Sequence, residues 1–344
     1  MTKKLLSLAA VAALTATTTQ AETVVKSNAM VLKFSGTHYL GFVSDSAGDY
    51  TDNYFETRRN YLQVKAYFKE NPKDYMRVTL DTYHNTSDDG KDDGSWEVRL
   101  KYAYLYLDNV LPNTGVEIGQ AHRPWIDYEE HHGWLYRSIS KVFVEAHNAA
   151  HFTNSADLGV NFKTKTENFS SEIGLFNGEG YHGEENGKGL SAEWRLTGHL
   201  FGTGKKHVHK SDTYADVSFF GQYNTNNVDV PGPDLDFVWY GVHAVYNQPE
   251  FLVAAQYVSA TDGGADKEGD GYSVNGEYRV TEQWNVLGKY DYFELDAGTE
   301  KERMLAGVAY KYNKNVEFIA NYLKEEVDNE TEKDAIMLTA EVKW

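Results

Sequence analysis

Five of the twelve histidines crowd into one stretch of the chain, as His122, His131, His132, His147 and His151. Three imidazoles brought together could hold a first-row metal ion, and protonation below about pH 6.5 could switch the local charge. The plainer reading, polar side chains of one long loop, carries more weight. His207-Val208-His209 has the spacing that puts two rings on one face of a strand, but Lys205, Lys206 and Lys210 would repel a cation there. In Asp88-Asp-Gly-Lys-Asp-Asp-Gly94, Lys91 takes a calcium-ligand position and no glutamate follows at the required place. No Gly-x-Ser-x-Gly, His-Glu-x-x-His or phosphate loop occurs. No catalytic residue, cofactor or metal is therefore assigned.

The remaining chemistry is charge arranged at period two. Arg59, Lys65, Arg77, Arg99 and Lys101 share one face of their segments, with Asp81 and Glu97 among them. Arg195, Arg279 and Lys289 continue the series beside Glu193, Asp216, Glu277 and Asp291. Side chains of a strand alternate between two faces, so this spacing demands strands whose other face is apolar. Met76, Val78 and Leu80 supply that face in one segment. Trp96, Val98, Leu100, Tyr102, Tyr104 and Tyr106 do so in the next, and Tyr272, Val274, Gly276, Tyr278 and Val280 in a later one.

Such segments recur near 29–43, 54–69, 75–84, 96–107, 115–121, 155–163, 169–177, 190–200, 213–224, 236–247, 250–260, 271–280, 283–294, 303–312, 315–324 and 334–344. Their number, sixteen, is even and returns both ends of the chain to one side of a barrel. Every second connection is a compact turn, such as Asn71-Pro-Lys-Asp74, Asn247-Gln-Pro-Glu250 or Asn313-Lys314. The intervening ones are longer, acidic and glycine-rich. Short turns on one side and long loops on the other are the habit of transmembrane barrels. The exception is the long turn from Phe201 to Ser211 on the short side.

Targeting agrees with this. Lys3 and Lys4, the apolar run Leu5 to Leu14 and the small residues of Thr19-Gln20-Ala21 predict a cleaved signal peptide over residues 1–21. Ten or so apolar residues fall short of the roughly twenty needed to span a bilayer as a helix. Residues 22–344 are then the barrel. There is no cysteine, which removes disulfides, thiol nucleophiles and thiolate zinc sites together. The formal charge of −18 becomes about −20 without Lys3 and Lys4, which argues against a nucleic-acid partner.

The third long connection, residues 122–154, carries Trp125, Tyr128, Trp134, Tyr136, Phe143 and Phe152. That composition opposes disorder, and apolar residues in a loop must pack on something. The inner wall is the nearest surface, so the loop is expected to fold inward and narrow a water-filled lumen.

At this point the chain resembles the porins of Gram-negative outer membranes, and within them the phosphate/polyphosphate-selective type. The resemblance rests on Val116-Glu-Ile-Gly119-Gln120, Pro124, Arg137-Ser138 and Asp157-Leu-Gly159-Val160. It implies a homotrimer of sixteen-stranded antiparallel β-barrels, with the third extracellular loop as constriction. The anion-selective members carry a dense basic ladder, and there the sequence departs. Its loop has Arg123, Arg137 and Lys141 but also Asp127, Glu129, Glu130 and Glu145. Acidic loop residues opposite Arg59, Arg77, Arg99 and Lys101 would set a field across the pore and favour ions and small polar solutes in general. The expected partners are outer-membrane lipid and lipopolysaccharide, the latter through loose divalent-ion contacts of the acidic loops. The terminal Trp344 would sit at the lipid interface and, by resemblance, mark the last strand for the barrel-assembly machinery. Two other readings stay open: a barrel-based outer-membrane enzyme, and a soluble exported β-protein that binds glycans.

Overall fold

Alternating segments can satisfy their backbone groups only by pairing with neighbours, and the pairing here runs full circle. The computed structural model describes residues 23–344 except 28, 49–50, 85–95, 182, 184–188, 226–235 and 264–265. The signal segment 1–21 and the acidic run 88–94 lie outside the described residues. The first nine strands are β1 (Thr23–Lys26), β2 (Met30–Asp45), β3 (Asp52–Phe68), β4 (Tyr75–His84), β5 (Trp96–Leu111), β6 (Thr114–His122), β7 (Ala156–Lys165), β8 (Phe169–Phe176) and β9 (Ser191–His199). Then come β10 (Tyr214–Asn224), β11 (Phe237–Asn247), β12 (Phe251–Thr261), β13 (Gly269–Arg279), β14 (Trp284–Leu295), β15 (Glu300–Lys311), β16 (Val316–Val327) and β17 (Glu330–Lys343).

From β2 onward each strand pairs antiparallel with the next, and β17 pairs with β2 from Ala335↔Asp45 to Lys343↔Thr37. Sixteen strands thus close into a barrel with no free edge, as the alternation predicts. β1 is additional. It pairs with β2 through Thr23↔Phe34 to Lys26↔Val31, along the edge that β17 leaves at its end. Four residues are too short a run to show a period, so alternation could not reveal this strand.

The outer face is apolar: Val98, Val217, Val242, Val274, Ile336 and Leu338 are all at least 45% exposed. The inner face buries polar groups, among them Asp216, Gln222, His243, Gln256, Ser273 and Asp291. Apolar outside and polar inside is the inverse of a soluble sandwich, and it suits a surface bathed in lipid.

Two β-bulges correct the expected faces. In β3, Arg58 is an extra residue between the pairs Tyr39↔Arg59 and Leu40↔Thr57. In β5, Lys101 is extra between Thr79↔Tyr102 and Leu80↔Leu100. A bulge shifts parity by one residue. Trp96, Val98 and Leu100 therefore face outward as expected, but Tyr102 and Tyr104 turn inward, 7% and 1% exposed, with Tyr106 on their face. Leu100-Lys101-Tyr102 still reads apolar, polar, apolar, so the alternation conceals the slip.

The chain end is knitted into this wall. Gly36 and Trp344 exchange backbone hydrogen bonds of 2.8 and 3.1 Å, and the indole Nε1 of Trp344 donates to His38 Nε2 at 3.0 Å. A Cβ on Gly36 would enter the indole ring. Trp344→Ala or Gly36→Val should therefore reduce the yield of refolded barrel several-fold, read as the heat-modifiable electrophoretic shift. Conductance of the molecules that do fold should change little; an unchanged refolding yield would contradict this role.

Candidate functional site: the barrel lumen

Between β6 and β7 the chain turns into a segment, residues 123–155, whose contacts run to lumen-facing side chains. Trp125 stacks on Phe220 of β10, 3.6 Å between ring centroids and 3° from parallel. The short helix α1 (Ile126–His132) follows, with Asp127 and Glu129 in its first turn, where the helix dipole favours acids. Gly133 ends it, its N–H donating to the Glu129 carbonyl at 2.8 Å. A side chain at Gly133 would meet the ring of His243, and Asn275 Nδ2 donates to the Gly133 carbonyl at 2.9 Å. Glycine here lets the segment lie close against the wall. Tyr128 OH donates to Asp216 at 2.6 Å, Asn285 donates to Tyr136 OH at 3.0 Å, and Phe152 packs on Phe237, Trp239 and Phe293. Burying each such aromatic contributes on the order of 2–3 kcal/mol, which is why this segment is a fixed part of the barrel interior.

The basic residues singled out from the sequence lie on the opposite wall. Arg59 and Arg99 both bind Asp81 Oδ2, at 3.0 and 3.2 Å. Arg77 meets His122 Nε2 at 2.9 Å with its guanidinium over the Tyr102 ring, and Lys101 donates to Tyr61 OH at 2.8 Å. Lys65 stands over the Tyr75 ring.

The acidic residues of the segment do not face this wall as a row. Glu129 turns to the other side and accepts from Gln256 Nε2. Glu130 and Glu145 both pair with Arg137 inside the segment, the latter at 2.6 Å, and Lys141 Nζ lies 3.6 Å from Glu145. Asp127 approaches the basic wall, 3.6 Å from His122 Nε2.

Burial raises the Glu129 carboxyl to about 7 and lowers Lys141 to about 8, although Glu145 opposes the second shift. Burial also depresses His132 and His151 to about 4, so neither imidazole is charged near neutrality. Among the described residues no three histidines or carboxylates converge as a metal site.

Several inward residues escaped the sequence reading. Arg58 donates to the Ser138 carbonyl at 2.6 Å and to Thr339 Oγ1 at 2.9 Å, yet its parity pointed it outward until the bulge reversed it. Lys163 bridges Glu117 and Glu172 at 3.3 and 3.2 Å. Arg303 joins Asp291, Glu325 and, at 3.2 Å, Ser140 Oγ of the segment. The last two share the inward parity of their strands and were legible on that ground.

What is left open is a cavity of about 1010 Å³ between the segment, the basic wall and the rim that carries Trp344. Residues 133–299 match the family of Gram-negative porins. The family match covers just under half of the chain. Its barrel is similar to an OmpT loop-deletion mutant, an outer membrane protein of Vibrio cholerae, with a TM-score of 0.66 at 15% identity over 92% of this chain and 100% of that one. It is also similar to Salmonella typhi OmpF in complex with daunomycin, with a TM-score of 0.65 at 14% identity over 94% and 100%. A mutant of the Rh. blastica porin gives 0.57 at 12% over 91% and 100%. No curated protein matches the sequence. The barrel is an outer-membrane channel.

The raised Glu129 carboxyl predicts a pH-dependent stability. A carboxyl that ionises at 4.5 in the unfolded chain keeps its proton to about 7 when folded. Its stabilising contribution is complete below pH 4.5 and is lost as pH rises through 7. Glu129→Gln should flatten the fall in unfolding temperature between pH 4.5 and 7 and exceed the wild type above it. An unaltered pH slope in this variant would contradict the assignment.

Proposed function

We propose that the chain is a porin, a water-filled pore for passive diffusion of ions and small polar solutes, made from residues 22–344 after removal of the signal peptide 1–21. Loop 122–154 is its constriction. The observation that carries this reading is the seating of Trp125, Tyr128, Tyr136 and Phe152 on the inner wall, with a polar cavity left beside them. A closed barrel with a wet, charged interior and a loop across it conducts, but only solutes that fit the remaining gap. The working unit is a homotrimer in contact with lipid and lipopolysaccharide, inserted by the barrel-assembly machinery through the strand that ends at Trp344. Support for the trimer is an in-vitro folded OmpT of Vibrio cholerae described in trimer form.

One arrangement favours an enzyme instead. Ser170 Oγ lies 2.8 Å from His199 Nε2, and His199 Nδ1 lies 2.8 Å from Asp216, the contacts of a hydrolytic triad. Yet Ser170 is 3% exposed, and Arg195 Nη1 donates to its Oγ at 3.0 Å. A nucleophile so covered and so engaged suits a structural network better. Failure of a fluorophosphonate probe to label Ser170 would agree with that, and labelling would revive the enzyme.

In a planar bilayer the refolded protein should give discrete conductance steps, and removing residues 128–148 should enlarge them severalfold. Absence of steps would sink the pore, and steps of unaltered size would sink the constriction.

A further inference from the structure

The connection from β9 to β10 is the one long turn on the rim of short turns, and its shape is held by named contacts. The Gly204 N–H donates to the Glu167 carbonyl at 2.8 Å, and the Lys210 carbonyl accepts from Arg279 Nη1 at 2.8 Å and Asn247 Nδ2 at 3.2 Å. The ammonium of Lys210 reaches Glu277 at 3.5 Å and Tyr136 OH at 3.4 Å, while Val208 packs on the cluster of Tyr214, Val245, Leu252 and Ala254 that also receives Leu135 of the inward loop. Residues 200–213 therefore form a strap that leaves the wall near β8 and is tied down at β11, β13 and the loop. Lys205, Lys206, His207 and His209 stay exposed along it and line the cavity.

We propose that this strap is the charge filter of the pore, which with the neighbouring wall makes the periplasmic exit favour small inorganic and carboxylate anions. The proposal rests on the pore reading above. The chain as a whole is acidic, at −18. The cavity is the reverse: eleven lysines and arginines line it against six acidic side chains, histidines counted neutral. Three of the eleven, Lys205, Lys206 and Lys210, belong to the strap. Others are held without a carboxylate in contact, Arg77 by His122 and Tyr104 and Lys101 by Tyr61. Charges beyond about 8–10 Å are screened at physiological salt, so a passing ion responds to the lining and not to the distant acidic loops. A cleft with one sign of charge and walls of low dielectric concentrates the opposite ion.

The test is the reversal potential of the reconstituted porin in a potassium chloride gradient. The wild type should show the sign of an anion-preferring pore. Lys205→Glu/Lys206→Glu should lower the chloride-to-potassium permeability ratio by about threefold near 0.1 M salt and by less at 1 M, as screening requires. Lys205→Arg/Lys206→Arg should keep the wild-type ratio. A wild type of cation-preferring sign would overturn the proposal, as would an unmoved ratio in a conducting double-glutamate variant. A refolded wild type that does not conduct at all would overturn the pore reading beneath it.

Discussion

Lipid offers no hydrogen bonds, so every backbone N–H and C=O that crosses it must find a partner within the protein. That constraint accounts for the closure of β17 onto β2, and much else follows from closure. A sheet without edges cannot add or lose a strand without opening, so the register at the seam must hold. Here the seam is fixed by Trp344 on Gly36 and His38, and β1 continues the same edge of β2 below it. A closed barrel of sixteen strands also has an inside too wide for wall side chains to fill. Whatever occupies that interior has to come from a connection.

Inside, the physics changes from hydrogen-bond closure to charge accounting. Asp81, fully buried, accepts from both Arg59 and Arg99, and Glu193 is gripped by Arg123. Such pairs are costly to desolvate and costly to break, so each removal leaves an uncompensated charge. The two bulges serve this interior. By inserting Arg58 and Lys101 they let adjacent residues of one strand face the lumen together, Arg58 with Arg59 and Lys101 with Tyr102. A regular strand would have sent one of each pair into lipid.

Strand positions were legible because a few apolar residues at period two are enough to declare a face. Tyr272, Val274 and Tyr278 mark the outer face of β13 although Gly276 interrupts them, and the matching parity in β14 and β17 repeats it. The inward course of the loop was legible from its aromatics, since Trp125, Trp134 and Phe152 had nowhere else to go. Bulges were not legible, because a single inserted residue between apolar neighbours leaves the pattern intact. Nor were the ion pairs: the sequence set Glu130 and Glu145 opposite the basic wall, but Arg137, a few residues away along the same loop, reaches them first. Chain proximity decides such contests, and alternation says nothing about it.

The side on which the loop lies has its own cause. Inner positions of the later strands are often apolar, as at Phe220, Trp239, Leu287, Phe293, Leu305 and Ile319, and all are buried in one cluster with the loop's aromatics. Left facing water they would forfeit their hydrophobic contribution. The earlier strands offer instead Lys65, Arg77, Lys101 and Lys163, which gain nothing from an apolar cover and lose hydration under one. The loop therefore settles against β10–β16 and leaves the cavity beside the basic wall. The off-centre gap and the positive sign of its lining are thus one result: apolar residues decide where the loop goes, and the charges left uncovered decide what the opening meets.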